Sequence, residues 1–108
     1  MTSGWIVTCV GSLTRYSLRL ADTPGVRVRE GKWEIVSLVG TLTAKGDSHL
    51  HMSLSDGRER MFGGHVLYGC KVYTTAEIVI GEPRDLEFIR VRDEVLPWNE
   101  LRILKKKS

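Results

Sequence analysis

Three histidines supply most of the chemistry this chain can offer, and all of them fall in one stretch, SHLHMSLSDGRERMFGGHV, Ser48 to Val66. His49 and His51 stand one residue apart. On a strand that spacing puts both imidazoles on one face, within reach of a single ion. The turn chemistry of SDGRE, residues 55–59, returns RMFGGHV beside that strand, which brings His65 opposite it or slightly beyond. Gly63 and Gly64, lacking Cβ, let the backbone bend or approach closely just before His65. Three imidazoles with a free fourth position form the ligand set of a catalytic zinc, whereas structural zinc sites have four protein ligands, often thiolates. The expected site is therefore one Zn²⁺ on His49, His51 and His65, open to water or substrate. The competing account is that His-x-His is only the polar half of an alternating strand.

A reacting metal centre also needs a general acid or base. Glu77, in YTTAE, is the candidate, and the alternative is a strand carboxylate paired with an arginine. Arg58 and Arg60 could hold an anionic substrate or simply solvate the turn. Ser53 and Ser55 lack the histidine and carboxylate a nucleophile requires once the histidines are committed to metal. Cys9 and Cys70 lie far apart in apolar segments without C-x-x-C spacing, and read as reduced core thiols.

The elements that position these residues are strands. WIVTCVGSL and WEIVSLVGTLT are rich in Val, Ile, Leu, Trp and Thr, which fit a pleated, half-buried surface. HLHMSLSD alternates, with Leu50, Met52 and Leu54 on one face and His49, His51, Ser53 and Ser55 on the other. CKVYTTAEIVIG, LEFIRVRD and ELRIL are further strands. TPG, REGK, AKGD, SDGRE, GEPRD and LPWN are the turns between them. No segment carries a capped helical stripe. The pattern predicts a mostly antiparallel, meander-like sheet that curls or closes. Uncovered strand edges in so small a body predict a subunit interface.

With 108 residues, 42% hydrophobic and 27% charged, the chain is expected to form one domain over residues 1–104, followed by a basic tail, residues 105–108. Lys105, Lys106 and Lys107 account for the whole excess of 16 basic over 13 acidic side chains. A neutral fold with a short basic end lacks the stripe of a nucleic-acid surface. No apolar run approaches the roughly 20 residues of a membrane span, and no secretory leader is recognisable. The expected location is cytoplasmic or nuclear.

Several motifs, in one order, resemble the PPC (plant and prokaryote conserved) domain. GKWEIVSLVGTL is similar to its Gly-Arg-Phe-Glu-Ile-Leu-Ser-Leu-Ser-Gly signature. HLHMSLSDGRERMFGGHVLYGCKVYTTAEIVI resembles its His-x-His, Ser-Leu-Ser/Ala-Asp, Gly-Gly-His and Tyr-Thr-Thr-Ala-Glu run, and VGSLTRYSLRL resembles its Val-Gly-Ser-Leu segment. The resemblance implies an α+β fold dominated by an antiparallel sheet, assembled as a homotrimer. It also implies kinship with the zinc-dependent acetolactate decarboxylase-like fold and an ester hydrolase related to it. The three histidines place the chain nearer the prokaryotic branch. Plant relatives bind AT-rich DNA through an Arg-Gly-Arg-Pro hook that this sequence lacks, so specific DNA binding is not expected. The family's N-terminal strand and helix have only Met1 to Ser3 in their place. Two functions follow as expectations: a zinc-dependent hydrolase or lyase acting on a small carbonyl or ester substrate, or a non-catalytic oligomerisation module associated with DNA-binding regulators.

Overall fold

The computed structural model describes residues 1–45 and 47–106. Seven strands run β1 (Ser3–Arg19), β2 (Arg27–Thr43), β3 (His49–Ser55), β4 (Met61–Val66), β5 (Lys71–Gly81), β6 (Leu86–Arg92) and β7 (Asn99–Lys105). The first five form one antiparallel sheet in the order β2-β3-β4-β1-β5. β1 also pairs with β2, so β1 to β4 close into a ring. That closure rests on two pairs between β1 and β4, Leu18 with Val66 and Arg19 with His65. The curled or closed antiparallel sheet is thus present, with β5 left on its free edge.

No helix occurs among the described residues, so the α part of the α+β expectation has no counterpart there. The physical reason lies in the side chains: β-branched and aromatic residues alternate along every segment, and none offers an apolar stripe of helical period. REGK, expected to turn, instead lies inside β2, where Glu30 pairs with Arg15 and Arg29 with Tyr16. β1 continues past the expected end of its apolar run to Arg19, and a register shift between Leu13 and Arg15 lets β2 follow it. The β1–β2 turn falls at the expected TPG, flanked by Asp22 and closed by Gly25, whose φ values of 47° and 87° are left-handed.

Leu13, Leu18, Met52 and Leu54 form the buried centre of the ring, with Leu18 and Leu54 fully enclosed. Tyr16, Trp33 and Phe62 pack edge-on against it, Tyr16 lying 4.7 Å from Trp33 and 5.1 Å from Phe62 between ring centroids. Cys9 is buried on β1, and burial pushes its thiol pKa up; Cys70 accepts a hydrogen bond from the Ser17 amide at 3.4 Å. Both are free thiols.

The β6–β7 hairpin forms a separate two-stranded sheet. The amide of buried Phe88 donates to the Ser3 hydroxyl at 2.7 Å. The Arg90 amide donates to the Lys45 carbonyl at 3.3 Å. Together these contacts hold β6 against the start of β1 and the β2–β3 connection. The tail expected from residue 105 begins within structure: Lys105 closes β7, and the Lys106 amide donates to Asp85. Lys107 and Ser108 lie outside the described residues.

Candidate metal centre

β3 has the alternation its sequence dictates. Met52 and Leu54 are buried while His49 and His51 are exposed on the other face. The tight turn after it is built by Asp56, whose Oδ1 accepts from the amides of Arg58 (2.7 Å) and Arg60 (3.0 Å) and whose Oδ2 pairs with Arg60 Nε at 3.0 Å. These contacts, chiefly the two backbone amides, hold the Asp56 carboxyl below the ordinary carboxylate range. Arg58 and Arg60 therefore belong to the turn and do not line the histidine cleft. The turn sets the β3–β4 register so that His65 stands directly opposite His51.

Two glycines make the close approach possible. A Cβ on Gly63 would collide with the Met52 carbonyl, and one on Gly64 would lie 2.6 Å from the Arg19 carbonyl oxygen. β4 is consequently drawn tightly between β3 and β1, and His65 is half-buried at the seam.

The three rings form a near-equilateral group, with centroid separations of 5.2, 5.3 and 5.4 Å. One nitrogen from each lies within 4.8 Å of the other two. Tetrahedral zinc with bonds of 2.0–2.1 Å spaces its ligand nitrogens about 3.3 Å apart, a closure that small side-chain rotations provide. The donor set therefore fits a divalent metal. Burial, then Arg90, then His51 pushes the His49 pKa down. Burial, then Arg19, then the other two histidines does the same to His65. Both effects favour the neutral imidazole, the form that ligates metal.

The triad borders two clefts. The larger, about 1080 Å³, is lined by His49, His65, Arg19, Arg90, Asp47 and Trp98 among others. The smaller, about 470 Å³, lies on the side of His51, Gly63 and Gly64 and shares Arg19 and His65. Sequence reasoning missed Arg19 and Arg90. Arg19 lies 30 positions before His49 and Arg90 lies 25 after His65, and neither carries a motif; only strand pairing brings them in. Glu77 is placed elsewhere. It is exposed on β5 opposite Val10, nine positions along β1 from the Arg19–His65 pair, a run of up to roughly 30 Å of strand.

Fold and site together define a class: a small, closed antiparallel sheet carrying three histidines at metal-ligating spacing on its rim. The chain belongs to the Plants and Prokaryotes Conserved (PCC) domain family, whose model matches residues 1–83; this is the PPC family its motifs resemble. It is 39% identical over 103 residues to the Bifunctional protein GlmU of a Synechococcus species, covering 95% of this chain but 16% of that protein's length. A hypothetical protein of Salmonella cholerae-suis shares 40% identity and superposes with a TM-score of 0.93, over 99% of this chain and 77% of that one. A metal-containing protein of Archaeoglobus fulgidus has the same fold at 21% identity, with a TM-score of 0.66 over 99% of this chain and 76% of that one. No helix among the described residues is long and apolar enough to cross a membrane.

Proposed function

We propose that this PCC-domain protein is a zinc-dependent hydrolase or lyase acting on a small carbonyl or ester substrate, working as a homotrimer. The observation that carries the reading is the histidine triad, its nitrogens within 4.8 Å of one another at the edge of a cleft large enough for a small ligand. Ligand chemistry supports zinc: three neutral imidazoles leave one tetrahedral position free. A zinc ion held by His49, His51 and His65 would supply Lewis acidity and lower the pKa of a bound water to about 7. The metal-containing protein of the same fold adds to the case, as does the kinship with zinc-dependent decarboxylases that the motif resemblance implies.

The chain's own residues hold and orient. His49 and His51 are set by β3, and His65 by the Gly-Gly approach of β4. Trp98, Val66 and Leu67 give the larger cleft an apolar wall for the carbon skeleton of a ligand. Glu77 retains its acid–base role only through assembly, with β5 of one copy brought to the triad of another. Its strand suits that use, since β5 is a free edge with Val72, Ile78, Val79 and Ile80 exposed. The same apolar edge would serve the second reading, a non-catalytic oligomerisation module.

Hydrolysis of activated aryl esters by the zinc-reconstituted protein tests the catalytic reading. The expected result is turnover above that of free zinc, abolished in His51→Ala. A rate equal to free zinc and unchanged in His51→Ala would leave the oligomerisation module in its place.

A further inference from the structure

Arg90 is an unusual arginine for a surface cleft. Its Nη2 donates to Thr41 Oγ1 at 2.9 Å, while its buried Nε has no partner. Thr41 pairs with His49 across β2 and β3, so this one hydrogen bond fixes the guanidinium beside the first histidine. Arg19, the β1 residue paired with His65, lines the same larger cleft as Arg90 and also borders the smaller one. Among the described residues the ion pairs join Arg15 to Glu30, Lys45 to Glu87 and Arg60 to Asp56. Neither Arg19 nor Arg90 takes part in one.

We propose that Arg90 and Arg19 form an oxyanion clamp, so that the ligand of this cleft is a small molecule bearing a carboxylate or phosphoryl group held on the arginines while its other end points at the histidines. A buried guanidinium N–H without an acceptor is costly, and a planar fork beside an open cleft matches the paired oxygens of such a group. Charge balance points the same way. Arg19, Arg90 and Arg92 line the larger cleft with Asp47 as its acidic side chain, which leaves an excess of positive charge that an anionic ligand neutralises. This inference rests on the metal reading only for where the ligand's other end goes; the clamp itself belongs to the metal-free protein.

Arginine Nε–H resonances of the ¹⁵N-labelled full chain provide the test, because the buried Arg90 Nε–H is protected from exchange. The metal-free protein is titrated with sodium acetate in one arm and inorganic phosphate in the other. The resonance missing from Arg90→Gln should shift saturably in at least one arm, and the responding arm identifies the oxyanion. The Arg58 signal should not move. Arg19→Gln, on a different strand, should weaken the affinity at least threefold while its amide spectrum stays native, so the clamp remains testable should Arg90→Gln fold poorly. No saturable shift in either arm, or a shift shared equally by Arg58 and unaffected in Arg19→Gln, overturns the clamp. Zinc content is measured separately. A saturable Arg90 response in a protein that takes up no zinc supports the clamp and removes the metal reading. Full zinc uptake with a silent Arg90 removes the clamp alone.

Discussion

At the scale of single residues, proton competition is the most informative consequence of the site. In the metal-free fold His49 and His65 both have depressed pKa values, burial being the leading cause. Unfolded imidazole titrates near 6.5, so between that value and the depressed native ones the unfolded chain binds more protons than the fold. Their stability contribution is therefore present above about pH 6.5 and lost as pH falls through the native values. Thermal melts of metal-free protein should drop from pH 7.5 toward pH 5, and a His49→Gln/His65→Gln variant should flatten that drop; an identical profile in the variant would refute the assignment. The zinc-induced gain, about 2.7 kcal/mol at one hundred times the dissociation constant, should fade over the same acidic range. The triad was legible from sequence because i, i+2 spacing on a strand and a short turn are local geometry. Arg19 and Arg90 were not, since they reach the site through contacts that join distant parts of the chain.

The elements matter through the seam they form. β1 to β4 close through two residue pairs, and Gly64 lies there with no room for a Cβ against the Arg19 carbonyl. Gly64→Ala should cost about 1–3 kcal/mol, the usual penalty of overpacking, seen as a lower urea midpoint with unchanged m-value. It should also weaken zinc binding, because β4 carries His65; stability and zinc affinity both equal to wild type would contradict the seam. Gly40, at φ 137°, supports the other side of the site, where a Cβ would collide with the His49 carbonyl. Strand existence was readable from alternation and turn residues, down to the inward set of β3. The REGK segment misled because Glu30 and Arg29 read as turn residues in isolation, whereas the long partner strand β1 holds them extended. Glu77 shares a motif run with the histidines, yet within one chain it lies away from them, because β5 sets it opposite Val10 on β1.

For the whole molecule, the exposed apolar edge of β5 and the outer face of β1, with Val7 and Val10 more than half exposed, set the expectation of a homotrimer. Light scattering at micromolar concentration should give three times the 12.2 kDa chain mass; a monomer mass would defeat it. Ile78→Lys and Ile80→Glu on β5 should shift the mass toward monomer. Specific DNA binding is not expected, because the charge excess lies in Lys105, Lys106 and Lys107. Any DNA affinity should show a shallow salt slope, on the order of −2 to −3 for three phosphates. A sequence-selective gel shift that persists without residues 105–108 would contradict this.

Zinc stoichiometry tests the central claim most directly. Elemental analysis after reconstitution and desalting at pH 7.5 should find one zinc per chain in the native protein. In His49→Ala, His51→Ala and His65→Ala, each checked for native amide spectra, it should find little or none, because two imidazoles hold zinc poorly. Zinc-free native protein, or full zinc content in all three variants, would show that the triad is not a metal centre.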